Sequence, residues 1–158
     1  MNDEAPHMPF MKLGELGLNH FVPYLMNRIM GRYNASLREE LSDLGLSTPK
    51  ARALAVLSVN DGLSIRDLAV YAITEQSTLS RALDQLQNDG LVRREADPSD
   101  HRAVRVFITE SGRAAFEMLW PHMASAYSRM FRGITEDERL AFIATLHKML
   151  ANVRVHEF

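Results

Sequence analysis

Apolar residues recur every three or four positions along most of this chain, a spacing that predicts amphipathic helices. The first predicted helix runs from Asn19 to Leu44, and Pro23 is tolerated there because it falls in the first turn. The second is capped by Thr48, has Pro49 at its first helical position and ends near Val59. The pattern therefore begins with one long helix and one of about three turns.

Two short helices and two strands are predicted next. Ser64 is the expected N-cap of the third helix, and Thr74 that of the fourth, which spans about residues 75–89. Two strand-like runs follow, Leu91–Ala96 and Ala103–Ile108, joined by a charged turn that predicts a β-hairpin. This order is typical of a helix-turn-helix with a wing, which places a helix in the major groove of DNA.

Two longer helices complete the predicted fold. Thr109 caps a fifth helix that reaches about Phe131, with a kink expected at Pro121, and Thr135 with Glu138 forms a capping box for the last helix. The apolar faces of the first, fifth and last helices together exceed what one small lobe needs to cover, although each face alone favours burial in a monomer core. We predict a mainly α fold with a small β-hairpin, a winged helix-turn-helix between long N- and C-terminal dimerisation helices. The predicted divisions are an N-terminal arm at 1–18, dimerisation helices at 19–48 and 110–158, and a DNA-binding lobe at 49–109.

The composition of the chain excludes several classes of protein and of functional site. The 158 residues carry a net charge of −2 and no cysteine, which excludes disulfide scaffolds, thiol catalysis and thiolate metal sites. No apolar run is long enough to span a membrane and no secretory signal is visible, so we expect a cytoplasmic protein with no membrane partner. The sequence contains no glycine-rich phosphate loop, nucleophile elbow or zincin motif, and predicts neither an enzyme nor a metal or cofactor site. The arm at 1–18 either packs on a second subunit or frays.

The outer side of the fourth helix has the composition of a groove-reading surface. Short polar side chains let the backbone approach the bases, and Arg81 can donate two hydrogen bonds to a guanine edge. Gln76 and Gln85 suit adenine or phosphate. Asp84 is expected either to hold Arg81 across one helical turn or to accept from cytosine. Taken alone, this surface is more typical of an ordinary solvated helix, and the hairpin that follows is what favours DNA binding.

The hairpin turn places an arginine where a minor groove would lie. Arg102 follows Asp100 by two residues, a spacing that can orient the arginine, and an oriented arginine suits a narrow, electronegative groove. The segment from Ser64 to Arg105 holds six arginines and seven acidic residues. DNA binding must therefore depend on the placement of charges, with few phosphate contacts per subunit.

Part of the chain resembles the MarR (multiple antibiotic resistance regulator) family. The similarity to its recognition helix and first wing strand lies in residues 75–86 and 89–94. The similarity to its wing and to the start of the next helix lies in residues 97–104 and 108–112. The resemblance implies a homodimeric regulator of palindromic operator DNA in which Arg81 and its polar neighbours enter the major groove and Arg102 the minor groove, supported by Asp100. His101 departs from the basic residue that many members carry. The predicted DNA contacts are Ser64, Arg66, Gln76, Ser77, Thr78, Ser80, Arg81, Gln85, Arg94, Asp100, His101 and Arg102.

The resemblance also implies a small effector, such as an aromatic acid, held between the dimer helices and the DNA-binding lobe. An arginine is the natural partner for a carboxylate. Structural packing remains an alternative role for each candidate, and a winged helix used only for protein interaction remains an alternative to the predicted repressor. The candidate effector residues are His20, Tyr24, Arg28 and Arg52, with Phe116 and Trp120 as walls.

Overall fold

The computed structural model of the protein describes residues 12–158. Helices dominate, and a three-stranded antiparallel sheet lies between residues 63 and 108, so the predicted fold class is confirmed. The elements in chain order are α1 (Leu13–Leu16), α2 (Val22–Asp43), α3 (Thr48–Val59), β1 (Leu63–Ser64), α4 (Ile65–Tyr71), α5 (Gln76–Asn88), β2 (Val92–Ala96), β3 (Val104–Ile108), α6 (Glu110–Met130) and α7 (Glu136–Val153).

The predicted N-terminal arm lies largely outside the described residues, which begin at Lys12. The remainder of it forms the single turn α1, and a 3-10 turn follows at Leu18–His20. Gly17 separates the two with a φ of +76°, a value that glycine adopts without strain. Because the chain turns there, α2 begins at Val22, three residues later than the predicted start at Asn19.

Helices α3, α4 and α5 enclose a core of leucines. Leu54 and Leu57 of α3, Leu68 of α4 and Leu83 of α5 are all fully buried in one cluster, together with Val106 of β3. Full burial of such a side chain stabilises the fold by roughly 1.5–3 kcal/mol. The packing fixes which side of α5 faces inward, and thereby which side faces solvent.

The sheet has the strand order β1–β3–β2. The predicted hairpin is confirmed, and its register pairs Val92 with Ile108 and Arg94 with Val106. The additional strand β1 pairs Leu63 with Val106 on the other side of β3. It joins the wing to the start of α4, so the hairpin is anchored in the helical lobe.

The caps confirm three predicted helix starts and correct two assignments. Ser64, Thr109 and Thr135 each accept a hydrogen bond from the backbone three residues on, as predicted. The prediction for Thr74 is wrong, because its hydroxyl donates to Ala72 O at 3.0 Å and the N-cap of α5 is Glu75. The N-cap of α3 is Ser47, one residue before the predicted Thr48.

The long helices differ in how much they bury. Helices α2 and α6 pack against each other and α6 also packs on α3. Helix α6 runs from Glu110 to Met130 without interruption at Pro121. Helix α7 buries none of its residues within the chain, although its sequence carries an apolar face. None of the described helices is both long and apolar enough to cross a membrane.

Candidate nucleic-acid interface and effector cavity

Helix α5 exposes a polar surface opposite its buried leucines. Because Leu79, Leu83 and Leu86 are fully buried, the opposite side of α5 faces solvent. Ser80 is half-buried at the margin of this surface. The exposed members, all predicted from the sequence, are Gln76, Ser77, Thr78, Arg81 and Gln85. The exposed side of α5 therefore presents one guanidinium among uncharged polar side chains to a binding partner.

The expected pairing of Asp84 with Arg81 is wrong. Asp84 Oδ1 accepts a hydrogen bond from Arg94 Nη2 at 2.8 Å, and the same nitrogen lies 3.3 Å from Ser80 O, to which it donates. Arg94 lies on β2, so it joins the wing to α5 and neutralises the carboxylate on the outer surface. Arg94, itself predicted to contact DNA, has its guanidinium committed to this junction.

Asp97 organises the base of the wing. It is the buried polar residue of the described chain, and its Oδ1 accepts from the Ser99 amide at 2.8 Å and from Ser99 Oγ at 2.6 Å. Its Oδ2 accepts from Arg105 Nε at 2.5 Å, across the hairpin. The Ser99 and Arg105 donors hold the pKa of the Asp97 carboxyl far below its ordinary value. The carboxylate thereby closes the hairpin turn from both sides.

The wing tip is ordered through its backbone. Asp100 Oδ1 accepts from the Arg102 amide at 3.0 Å, and Asp100 O accepts from the Ala103 amide at 2.9 Å. Asp100 therefore fixes the backbone at Arg102, while its predicted role in orienting the Arg102 guanidinium stays a prediction. The side chains of His101 and Arg102 are both exposed at the tip.

The remaining predicted contacts lie at the start of α4. Arg66 is exposed in the first turn. Ser64 is half-buried, and its Oγ accepts from the Asp67 amide at 3.0 Å as the N-cap. Ser64 thus retains its hydroxyl proton and one lone pair for a further partner.

A cavity of about 180 Å³ lies between α2, α3, α6 and the turn after α4. Of the six candidate effector residues, Arg52 alone lines it. Its Nη1 donates to Ile73 O at 3.0 Å. The rest of the wall is largely apolar, with two tyrosines: Tyr33, whose pKa is raised by burial, and Tyr71, whose ring stacks on Phe158 at 4.4 Å.

The other five candidates lie elsewhere. Tyr24 and Arg28 pair with each other along α2, at 3.5 Å between the hydroxyl and Nη1, and Arg28 lines a separate open groove. His20 lies in the 3-10 turn before α2. Phe116 packs against the core, and its ring centroid is 6.2 Å from that of the exposed Trp120. The lining residues that sequence reasoning missed include Tyr33, Tyr71, Ile73, Leu119 and Met123.

Comparison with known proteins identifies the family. A family model described as the MarR family matches residues 44–103. The chain is 32% identical over 127 residues to the HTH-type transcriptional repressor IacR of Pseudomonas putida, covering 80% of this chain and 74% of IacR. A MarR family transcriptional regulator from Silicibacter pomeroyi is 62% identical, with a TM-score of 0.90 over 94% of this chain and all of that one. The chain belongs to the MarR family.

A third similar protein carries information on regulation. BpsR of Bordetella bronchiseptica is 27% identical, with a TM-score of 0.71 over 81% of this chain and 97% of BpsR, and its DNA binding is regulated by 6-hydroxynicotinic acid. The relatives are transcriptional regulators, which is a non-enzymatic role. For this MarR protein, the exposed surface of α5 and the tip of the wing are accordingly the candidate DNA-binding elements.

Proposed function

We propose that this MarR-family regulator is a homodimeric repressor that binds a palindromic operator and is released by a small aromatic acid. Residues 49–109 form the DNA-binding lobe in this proposal. Residues 19–48 and 110–158 supply the dimer helices. A two-fold dimer spaces its recognition helices about one turn of DNA apart, roughly 34 Å, so the operator is expected to contain two matched half-sites.

The observation that carries the proposed DNA contacts is the polar outer surface of α5 beside an arginine-tipped wing. Ser77, Thr78 and Arg81 are exposed and enter the major groove, while Arg102 enters the adjacent minor groove. The Arg94–Asp84 pair, at 2.8 Å, removes the charge that would repel phosphate from this surface. The pair also fixes the wing relative to α5, so α5 and the wing tip can contact the DNA at the same time.

The uncovered apolar surface supports the homodimer. No residue of helix α7 is fully buried within its own chain, and apolar side chains of α2 and α6 are exposed as well. Contiguous exposed apolar surface of this kind marks an interaction site. A second copy offers the same surface in return, as a two-fold interface requires. The largest exposed apolar residues of the three helices include Val22, Ile29, Met118, Trp120, Leu140, Phe142, Leu150 and Val153.

The cavity beside Arg52 supports the aromatic acid. Its volume of about 180 Å³ is close to the roughly 150 Å³ that holds a single aromatic ring in an apolar protein interior. Arg52 supplies a guanidinium for the acid group, and the cavity lies between the proposed dimer helices and the DNA-binding lobe. The regulation of BpsR by 6-hydroxynicotinic acid favours the same ligand class.

A titration on duplex DNA tests the repressor. The parent chain is expected to bind the promoter of its own gene at least about 10³-fold more tightly than a shuffled duplex of equal length. Arg81→Ala and Arg102→Ala should each weaken promoter binding, Arg81→Ala by about 1–3 kcal/mol. Arg132→Ala, an exposed arginine remote from α5 and the wing, is the matched control and should bind as the parent does. Equal affinity for both duplexes would refute the proposal and favour a protein-interaction module.

The effector is tested with the same complex. Addition of benzoate or 6-hydroxynicotinic acid to the protein–promoter complex should release the DNA in a concentration-dependent manner. Calorimetric binding of the acid to the free protein, at one site per chain, should match the release. A complex that neither acid releases, with a protein that neither acid binds, would refute an aromatic-acid effector while leaving the DNA contacts intact.

A further inference from the structure

The turn between α4 and α5 contains a strained residue. Ile73 has a φ of +50°, and among residues 12–158 it is the one non-glycine residue with a positive φ. Branched side chains are rare in this left-handed region because the Cβ crowds the following carbonyl. The Ile73 side chain is also 80% exposed, so burial in the core does not maintain this conformation.

A hydrogen bond from α3 holds the turn. Arg52 Nη1 donates to Ile73 O at 3.0 Å, linking residues 21 positions apart. The turn is otherwise tied to α4 alone, by the Ile73 amide to Val70 O at 3.1 Å and the Thr74 amide to Ala69 O at 3.0 Å. Thr74 lies two residues before α5, which begins at Gln76. The start of the recognition helix therefore depends on where Arg52 points.

Arg52 and Ile73 line the same cavity. Within residues 12–158, Arg52 forms no ion pair with a carboxylate, and its guanidinium donates to the neutral carbonyl of Ile73 instead. A carboxylate adds its own negative charge to the contact and can accept two parallel N–H bonds from the guanidinium, neither of which a single neutral carbonyl can do. A carboxylate that enters the cavity can therefore compete with Ile73 for Arg52.

We propose that Arg52 binds the carboxylate of the effector and that its transfer from Ile73 O to the ligand releases the turn that begins the recognition helix. The proposal rests on the aromatic-acid effector proposed above. When Arg52 turns to the ligand, Ile73 loses the contact that offsets its left-handed backbone and relaxes toward a negative φ. The start of α5 moves with it, and the population shifts to a state that no longer matches the operator.

The ligand arm of the test compares DNA dissociation constants with and without saturating benzoate, within each variant of the full chain. The parent ratio is expected to be about fivefold or more. Ile73→Gly should bring the ratio close to one while benzoate still binds, because glycine keeps a positive φ without help from Arg52. Ile73→Val retains the branched side chain and should keep the parent ratio. A parent-like ratio in Ile73→Gly would overturn the proposal.

The second arm needs no ligand. Amide hydrogen exchange at Thr74 reports the turn directly, because that amide is bonded to Ala69 O. Arg52→Met removes every donor, and it should speed Thr74 exchange by about fivefold or more, the factor that one lost hydrogen bond gives. Adding Ile73→Gly should restore slow exchange.

The two arms separate the possible failures. Unchanged Thr74 exchange in Arg52→Met would refute the link between Arg52 and the turn, whatever the ligand. Failure of both aromatic acids to bind the parent would refute the effector itself and, with it, the ligand role of Arg52.

Discussion

Replacing Gly112 by alanine tests how closely α6 is fitted to the end of the recognition helix. A Cβ on Gly112 would lie 2.0 Å from Leu91 O and 2.8 Å from Ile108 Cγ1. The backbone there must therefore open by about 1 Å or more. Leu91 O also accepts from the Thr109 amide at 3.0 Å, and that bond joins the N-cap of α6 to the segment after α5.

The expected cost follows from these contacts. Overpacking costs about 1–3 kcal/mol and the strained hydrogen bond about 1 kcal/mol. The better helix propensity of alanine offsets up to about 1 kcal/mol. Gly112→Ala should therefore lower the free energy of unfolding by roughly 1–3 kcal/mol, which for a chain of this size lowers Tm by roughly 2–12 °C.

Thermal unfolding followed by circular dichroism, at one fixed protein concentration, measures the effect. Ser111→Ala is the matched control, since Ser111 is exposed in the same helical turn and should change the stability by no more than about 0.5 kcal/mol. Promoter affinity should fall in Gly112→Ala and not in the control. A Tm for Gly112→Ala equal to or above that of the parent would refute the packing described here.

Three further predictions concern the wing, the core and the last helix. Asp97→Asn should weaken promoter binding, and its free energy of unfolding in urea should depend less on pH than that of the parent. The reason is that folding lowers the pKa of the Asp97 carboxyl. Such a carboxyl contributes stability that is complete above about pH 4 and is lost as the pH falls below that value. An unaltered pH dependence would contradict the role of Asp97. Leu57→Ala should destabilise the fold by about 2–5 kcal/mol in denaturant unfolding, because Leu57 is fully buried; a loss under about 1 kcal/mol would not fit. Thr135→Ala should cost about 0.5–2 kcal/mol through the lost cap of α7, and sedimentation should show weaker dimerisation; unchanged association would count against α7 as an interface helix.

Local sequence signals predicted the lobe well. Leucine spacing and polar caps depend on neighbours within four residues, so α5, the hairpin and the caps at Ser64, Thr109 and Thr135 could be predicted from the sequence. The error at Thr74 is of the same local kind, because a threonine before a helix suits either a cap or the preceding turn.

Contacts between distant residues could not be predicted. Asp84 was expected to pair within α5, but its partner Arg94 lies ten positions away on a strand whose position depends on the folded hairpin. Strand β1 has two residues and shows no alternation to detect. The cavity lining was missed because Tyr33, Leu119 and Met123 have the spacing of ordinary core residues on their helices. A cavity is a property of how helices meet, which periodicity does not specify.

The spacing of the operator halves tests the central claim most directly. If two copies of the chain present matched helices to successive grooves, inserting five base pairs at the centre of the palindrome turns one half-site to the opposite side of the duplex. We expect the affinity to fall to that of random DNA, with two chains bound per intact operator. Undiminished affinity for the operator with the insertion, or one chain per intact site, would contradict the account.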